Sequence, residues 1–377
     1  MLGSGPPSLK SGQDYLYGID LVRFACATAV AVYHLTYHER QTATFMPFGW
    51  VGVEIFFVIS GLVIANSARG ASARQFAIGR FLRLYPTAWC AALVSYPFFL
   101  MGQARAGHGL LPLLGSLTLL RKPFLATAYW TLPIELAFYL VVFLMLLFHR
   151  IERIQSLAIL LILWSTPWSI ALMLNAKGIV HWDWLAVGYG AVNMWLYRYG
   201  TYFGLGILIW LFKEKRITTA GIVAAAWALL LAPMETYARA VQLQPPFPPS
   251  TGIIESLWKD TTVSANAGFF FGLAAIMLSV RFNRLFPANA AVRKTVRSLG
   301  LMTFPFYLLH QNLGDETVRW SDKAHLPPLV GAAAAIVFVA AISYLIAAFG
   351  EPALRRVLRR RVPMLSAPPE ARIAVPS

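Results

Sequence analysis

Charge is scarce in this sequence, and acidic charge scarcer still. Only 13% of the 377 residues are charged, with 16 Asp and Glu against 32 Lys and Arg. A soluble domain carries about 25% charged residues, so a soluble two-domain enzyme and a disordered chain are both excluded. Cysteine is nearly missing. Cys26 and Cys90 lie far apart in apolar stretches, with no metal-ligand spacing and no disulfide framework. No glycine-rich loop opens a helix, so a nucleotide would have to be held by side chains. No repeat of about 20–50 residues and no low-complexity run is present. Residues 1–14 are polar, hold two prolines and lack the apolar stretch of a cleavable leader, so the first span is expected to direct insertion.

What the chain has instead is apolar length: 58% hydrophobic residues and 14% aromatic, with 12 Trp and 25 Phe. A crossing of the hydrocarbon core needs about 20 mostly apolar residues, and Leu329–Phe349 supplies them without one charge. Ten such segments are expected: 16–37, 50–66, 84–101, 128–148, 155–174, 199–212, 217–234, 262–280, 299–313 and 329–350. The fold class is therefore all-α, a polytopic membrane protein. A tail (1–14) precedes a membrane domain (15–352), and a basic tail (353–377) follows it. The apolar stretch Leu110–Leu120 is too short to cross and reads as an interfacial helix. An even number of spans puts both termini on one side. Placing that side in the cytoplasm assigns it 21 of the 32 Lys and Arg residues, as the positive-inside rule favours. This bias accounts for the net charge of +16, so nucleic acid is not expected as a partner. The run Arg355, Arg356, Arg359, Arg360 and Arg361 fits a segment lying beside anionic lipid.

Ionisable groups inside a span are costly and usually face a partner, the bundle interior or water. The first span carries Asp20, Arg23 and His34. Arg23 and His34 are eleven residues apart, which closes to within about 20° of three full turns and separates them by about 16 Å. They share a face, Arg23 in the inner half and His34 near the outer end. GWVGVEIFFVISGL in the second span carries Glu54 and, deeper, Ser60. YWTLPIELAFY in the fourth carries Trp130, Glu135 and, one turn on, Tyr139, with Pro133 expected to open or kink the helix. FPFYLLHQN in the ninth holds Tyr307 and His310 one turn apart. His34, Glu54, Glu135 and His310 thus fall at comparable outer depths.

The inner side gathers a second set. GRFLRLYP, before the third span, places Arg80 and Arg83 one turn apart, with Tyr85 and Pro86 after them, and Glu351 ends the last span. Two arginines at that spacing can fork onto phosphates, although positive-inside flanking would place them there equally. A phosphate-bearing donor could sit at these arginines and thread a reactive end outward along an extended, pantetheine-like arm. There His34, with a carboxylate neighbour, would serve as general base for an acceptor hydroxyl. Glu135 is the first choice for that neighbour and Glu54 the second.

At these residues the chain resembles the acyltransferase 3 family of membrane acyltransferases. Arg23 and His34 match its Arg, ten residues, His opening. Gly52, Glu54, Phe56, Phe57, Val58, Ser60 and Gly61 are similar to its acidic Phe-Phe-Val-x-Ser-Gly pattern. Arg80, Arg83, Tyr85 and Pro86 match its arginine pair before Tyr-Pro, and Trp130, Leu132, Glu135, Phe138 and Tyr139 its Trp-Ser-Leu-x-x-Glu-x-x-Phe-Tyr pattern. Tyr307 and His310 resemble its late Tyr-x-x-His element, and Glu351 to Arg356 its terminal one. Departures are Phe24 for glycine, Thr131 for serine, and a terminal element without lysine. The resemblance implies transfer of an acyl group, usually acetyl, from cytoplasmic acyl-CoA to a hydroxyl of a carbohydrate or lipid-linked glycan at a bacterial inner membrane. It would make His34 the catalytic base, with Arg23, Arg80 and Arg83 binding the donor. Glu54, Ser60, Trp130, Tyr139, Tyr307 and His310 would then line the acceptor side.

No metal is expected, because no His, Asp or Glu pair recurs at ligand-like spacing on one helix. Cys26 lies one turn from Arg23 but reads as a small residue packed between helices. The competing function is a transporter or flippase for a glycan or lipid-linked intermediate. That class commonly shows matched halves, whereas Pro133, Pro167 and Pro305 fall in unmatched spans. The segments 102–127, 175–198 and 235–261 are expected on the outer side. Their aromatics suit sugar stacking or an interfacial belt.

Overall fold

The computed structural model describes residues 15–37, 46–102, 109–120, 122–182, 196–243, 261–286 and 289–362. The described residues contain helices and turns and no strand. The protein is an all-α, polytopic membrane protein, and eight of its helical segments are long and apolar enough to cross a bilayer. Large apolar side chains on those segments, among them Leu93, Leu140, Leu163, Phe271 and Val337, point outward and are exposed. Water would penalise that surface; lipid does not.

In chain order the helices that matter here are α1 (Tyr17–Tyr37), α2 (Gly52–Ala68), α3 (Ala73–Gly102), α4 (Leu110–Thr118), α5 (Thr131–Leu147) and α6 (Ile154–Ala176). They are followed by α7 (Gly200–Lys213), α8 (Thr219–Leu243), α9 (Thr261–Arg281), α10 (Ala290–Leu309) and α11 (Asn312–Lys323). Last come α12 (Pro328–Leu345), a π-helical turn at Ile346–Gly350, and α13 (Glu351–Arg361). Eight of the ten expected spans fall on those eight segments, the sixth falls on the short α7 and the ninth on the end of α10 and the turn after it, and the stretch 110–120 forms α4.

The helix ends differ from the hydropathy reading where polar residues continue a helix. α3 begins at Ala73, so Arg80 and Arg83 lie within it rather than ahead of it. α8 runs on to Leu243, so Glu235 and Arg239 are helical and buried instead of belonging to an outer loop. α10 starts at Ala290 and carries Arg293, Lys294 and Arg297 in its first half. The basic residues after Glu351 form α13. Much of the aromatic loop sequence (183–195 and 244–260) and the tails lie outside the described residues. Pro133 neither breaks nor kinks α5. A 3-10 turn at Thr127–Trp130 precedes the helix, and Pro133 falls in its first turn, where backbone N–H groups have no intrahelical acceptor anyway.

α7 sits at the centre, with every residue from Gly200 to Leu211 buried. Its 14 residues span only about 21 Å, less than the hydrocarbon thickness, which an interior helix can tolerate. Small residues let backbones meet. A Cβ on Gly206 would collide with the Val58 carbonyl of α2, and one on Gly61 with the Phe203 carbonyl of α7. On the other side of α2, a Cβ on Gly52 would stand 2.7 Å from the Cys26 carbonyl of α1. Close approach of this kind drives helix association where lipid removes the hydrophobic gain. It fixes α2 between α1 and α7 and so aims Ser60 inward.

Candidate active site

Five helices enclose a cavity of about 210 Å³. α1 contributes Arg23, α3 Arg80 and Arg83, α5 Glu135 and Tyr139, and α10 Gly300, Thr303 and Tyr307. Along α2 its wall runs from Val53 past Phe57 and Ser60 to Ile64, about 16 Å at the helical rise. The cavity is thus a shaft along the bundle. Three arginines and one glutamate leave its lining with an excess of two positive charges, which in a low-dielectric surrounding attracts an anion strongly.

The arginine end is held by specific contacts. Arg80 lies over the rings of Phe76 and Tyr139, at 5.8 and 5.9 Å, and its Nε is buried with no hydrogen-bond partner. A buried cationic donor left open in this way suits an incoming oxyanion. Glu135 Oε1 accepts from Ser60 Oγ at 3.3 Å and from the Tyr139 hydroxyl, one turn along α5. Arg23 stands within Coulomb reach of Arg83, Asp20 and Glu135. Asp20 is buried behind the lining, accepts from the Tyr15 hydroxyl at 2.6 Å and packs against Gly300, where any Cβ would strike its carboxylate. Nearby, Glu351 is buried and bound by Thr87 and Arg355.

The other end of the shaft is aromatic. Tyr307 meets Phe56 at 5.7 Å between ring centres, and His310 lies 5.6 Å beyond Tyr307. His310 is fully buried, with Nδ1 2.6 Å from the Tyr307 carbonyl. A carbonyl only accepts, so the hydrogen belongs on Nδ1 and Nε2 keeps its lone pair. The half-buried His34 follows, 5.2 Å from His310. His34 therefore stands behind the cavity wall, two rings from the shaft, and is not part of the lining.

Of the residues singled out by sequence, Arg23, Arg80, Arg83, Glu135, Ser60, Tyr139 and Tyr307 come together in one cavity. His34 and His310 pair beyond its end. Glu54 and Trp130 belong to a different cluster. Arg239 donates to Glu54 Oε1 at 2.7 Å and to the Tyr199 hydroxyl at 3.3 Å, and its guanidinium lies 5.0 Å from the Trp50 ring and 5.9 Å from Trp130. Next to it Arg198 faces Glu235 at 3.6 Å. The two ion pairs tie α2, the entry to α7, and α8. Arg198, Glu235 and Arg239 were not anticipated, because charges past an apolar run read as loop. The usable signal was the i,i+4 spacing of Glu235 and Arg239 directly after Pro233. Among the described residues no three His, Cys, Asp or Glu side chains meet in a way that could hold a metal ion.

Residues 16–348 match the family model of the acyltransferase 3 proteins, described as an acyltransferase domain. The chain belongs to the acyltransferase 3 family. No curated protein and no solved structure matches it. As a family member it is a membrane acyltransferase, and the match spans every helix that lines the shaft. The acyltransferase thus carries its cationic, its carboxylate and its aromatic groups within one matched domain. Its substrates are an acyl donor and an acceptor, and the shaft has one end of each chemical character to offer them.

Proposed function

We propose that this acyltransferase moves an acetyl group from cytoplasmic acyl-CoA to a hydroxyl of a glycan-type acceptor. The supporting observation is a single shaft whose arginine end suits phosphates and whose far end leads through Tyr307 to two imidazoles. Its length of about 16 Å along α2 is the reach of an extended pantetheine arm. In this reading Arg23, Arg80 and Arg83 hold the donor's phosphates. Glu135 acts from inside the cavity: its Oε1 is engaged by Ser60 and Tyr139, and its charge balances one of the three arginines. Tyr307 and His310 shape the acceptor end, while Glu54 and Trp130 support it from the neighbouring ion-pair cluster.

The reaction in this reading requires Tyr307 and His310, which stand between the shaft and His34, to give way so that thioester and imidazole meet. His34 takes the proton of the acceptor hydroxyl as the oxygen attacks the thioester carbonyl. The carbon–sulfur bond breaks, and the imidazolium returns the proton to the departing thiolate. The positive-inside bias supports cytoplasmic termini in a bacterial inner membrane, which puts the arginine end where acyl-CoA is found. Mass spectrometry of surface glycans from cells with and without this protein tests the reading. Loss of O-acetyl groups on deletion is the expected result. An unchanged glycan, with acyl-CoA turnover on no other acceptor, would overturn it.

A further inference from the structure

His310 has the wiring of an oriented imidazole. Its Nδ1 hydrogen is given to the Tyr307 carbonyl at 2.6 Å, within the last turn of α10, which fixes the ring's tautomer and leaves the lone pair on Nε2. That Nε2 is buried and has no hydrogen-bond partner. A buried acceptor left without a donor is destabilising, so the fold keeps it against a penalty. On the side away from Tyr307, His310 meets the His34 ring, with centres 5.2 Å apart and planes tilted by 39°. Two imidazoles joined edge to edge by an N–H···N bond of about 3 Å have centres about 5 Å apart. The rings already stand at that separation, and a turn of the His34 side chain would complete the bond.

We infer that His310 is the positioning residue of His34: its Nε2 accepts the N–H of one His34 nitrogen and thereby fixes the other as the one that takes the acceptor's proton. This rests on the His34 reading above. A carboxylate in the same role would have to be buried as a charge; a neutral imidazole orients the base without that cost. Both carboxylates considered from sequence have other hydrogen-bond partners, Glu135 with Ser60 and Tyr139, and Glu54 with Arg239. The logic is that of a base held by a third group, with a second histidine as that group.

The test uses the full chain in inverted membrane vesicles of the producing cell, with radiolabelled acetyl-CoA as probe and label in the glycan fraction as readout. His310→Phe keeps a ring and removes the acceptor. It should lower the maximal rate about 100-fold, the low end of what a positioned base supplies, with the KM for acetyl-CoA changed less than about threefold. His310→Gln restores an acceptor near the Nε2 position and should recover at least about tenfold of the loss. A His310→Phe rate equal to wild type, equal losses in both variants, or a loss confined to KM would overturn the inference. Should His310→Phe not accumulate as folded protein, the double variant His34→Ala with His310→Gln decides. A residual rate equal to that of His34→Ala supports the pair, and a further drop of about tenfold contradicts it. Full turnover in His34→Ala alone would instead sink the His34 reading, a failure visible without touching His310.

Discussion

Replacing Arg239 with leucine removes one partner from one of the two deeply buried ion pairs among the described residues. The Arg239 and Glu54 side chains are 8% and 2% exposed, and the guanidinium serves Glu54, Tyr199 and the face of Trp50 together. Without it Glu54 remains buried, with Glu235 as a second acid within Coulomb reach. Breaking a buried pair from one side costs about 3–5 kcal/mol, whereas replacing both partners by apolar residues is often close to neutral. Arg239→Leu should therefore lose about 3–5 kcal/mol, and Arg239→Leu with Glu54→Leu should regain most of it. Unfolding the purified protein in mixed micelles by added denaturing detergent, with near-ultraviolet circular dichroism as probe, gives both values. A single variant that loses less than about 1 kcal/mol, or a double variant whose loss equals the sum of the singles, would refute the reasoning, since independent sites add.

Three further outcomes are expected. Arg80→Ala with Arg83→Ala removes two forked donors worth about 1.5–3 kcal/mol each, so acyl-CoA binding should weaken about 100-fold or more while acceptor binding changes little. Equal effects on both ligands in equilibrium binding would count against a donor site at the arginines. Gly206→Ala drives a methyl into the Val58 carbonyl and should cost about 1–3 kcal/mol, seen as a lower melting temperature than Gly79→Ala, whose Cβ meets nothing within 4 Å. Indistinguishable melting temperatures would dismiss the close α2–α7 contact. Glu214, at the end of α7, is raised by partial burial, but hydrogen bonds and charges from Lys213 and Arg69 outweigh this and hold its carboxyl below the ordinary range. A depressed folded value adds stability above the unfolded one, about 4.5, and loses it as pH falls through the folded value. Glu214→Gln should flatten the acid limb of a melting-temperature profile, by an amount worth about 1 kcal/mol or less for so open a pair. An unaltered limb would show that the pair does not matter.

Apolar length made the membrane helices readable, because a bilayer constrains a span through length and hydropathy alone. Helical periodicity carried further at the site. The one-turn spacings of Arg80 with Arg83 and of Glu135 with Tyr139, and the cost of Arg23 inside a span, pointed to residues that share the shaft. Three things needed the third dimension. Helix ends shifted where polar residues continued a helix, which hid Glu235 and Arg239 on α8 and placed Arg80 and Arg83 inside α3. Partners across helices are not encoded by spacing, so Glu54 finds Arg239, a residue that hydropathy assigns to a loop. The sequence points to a carboxylate neighbour for His34, whereas the packing of α1 against α10 brings the His310 ring to 5.2 Å from it. The amphipathic helix α11 lacks an apolar run and had no signal in a search for spans.

The proposed function stands on one shaft with a phosphate-holding end and a far end that leads through Tyr307 to two imidazoles. A cryo-electron microscopy map of the protein with a non-hydrolysable acetyl-CoA analogue tests it most directly. Phosphate density is expected against Arg23, Arg80 and Arg83, with the acyl end beside Tyr307 and facing the His34–His310 pair. Phosphates bound away from those arginines, or an acyl end that stops on the far side of the bundle from His34, would contradict it.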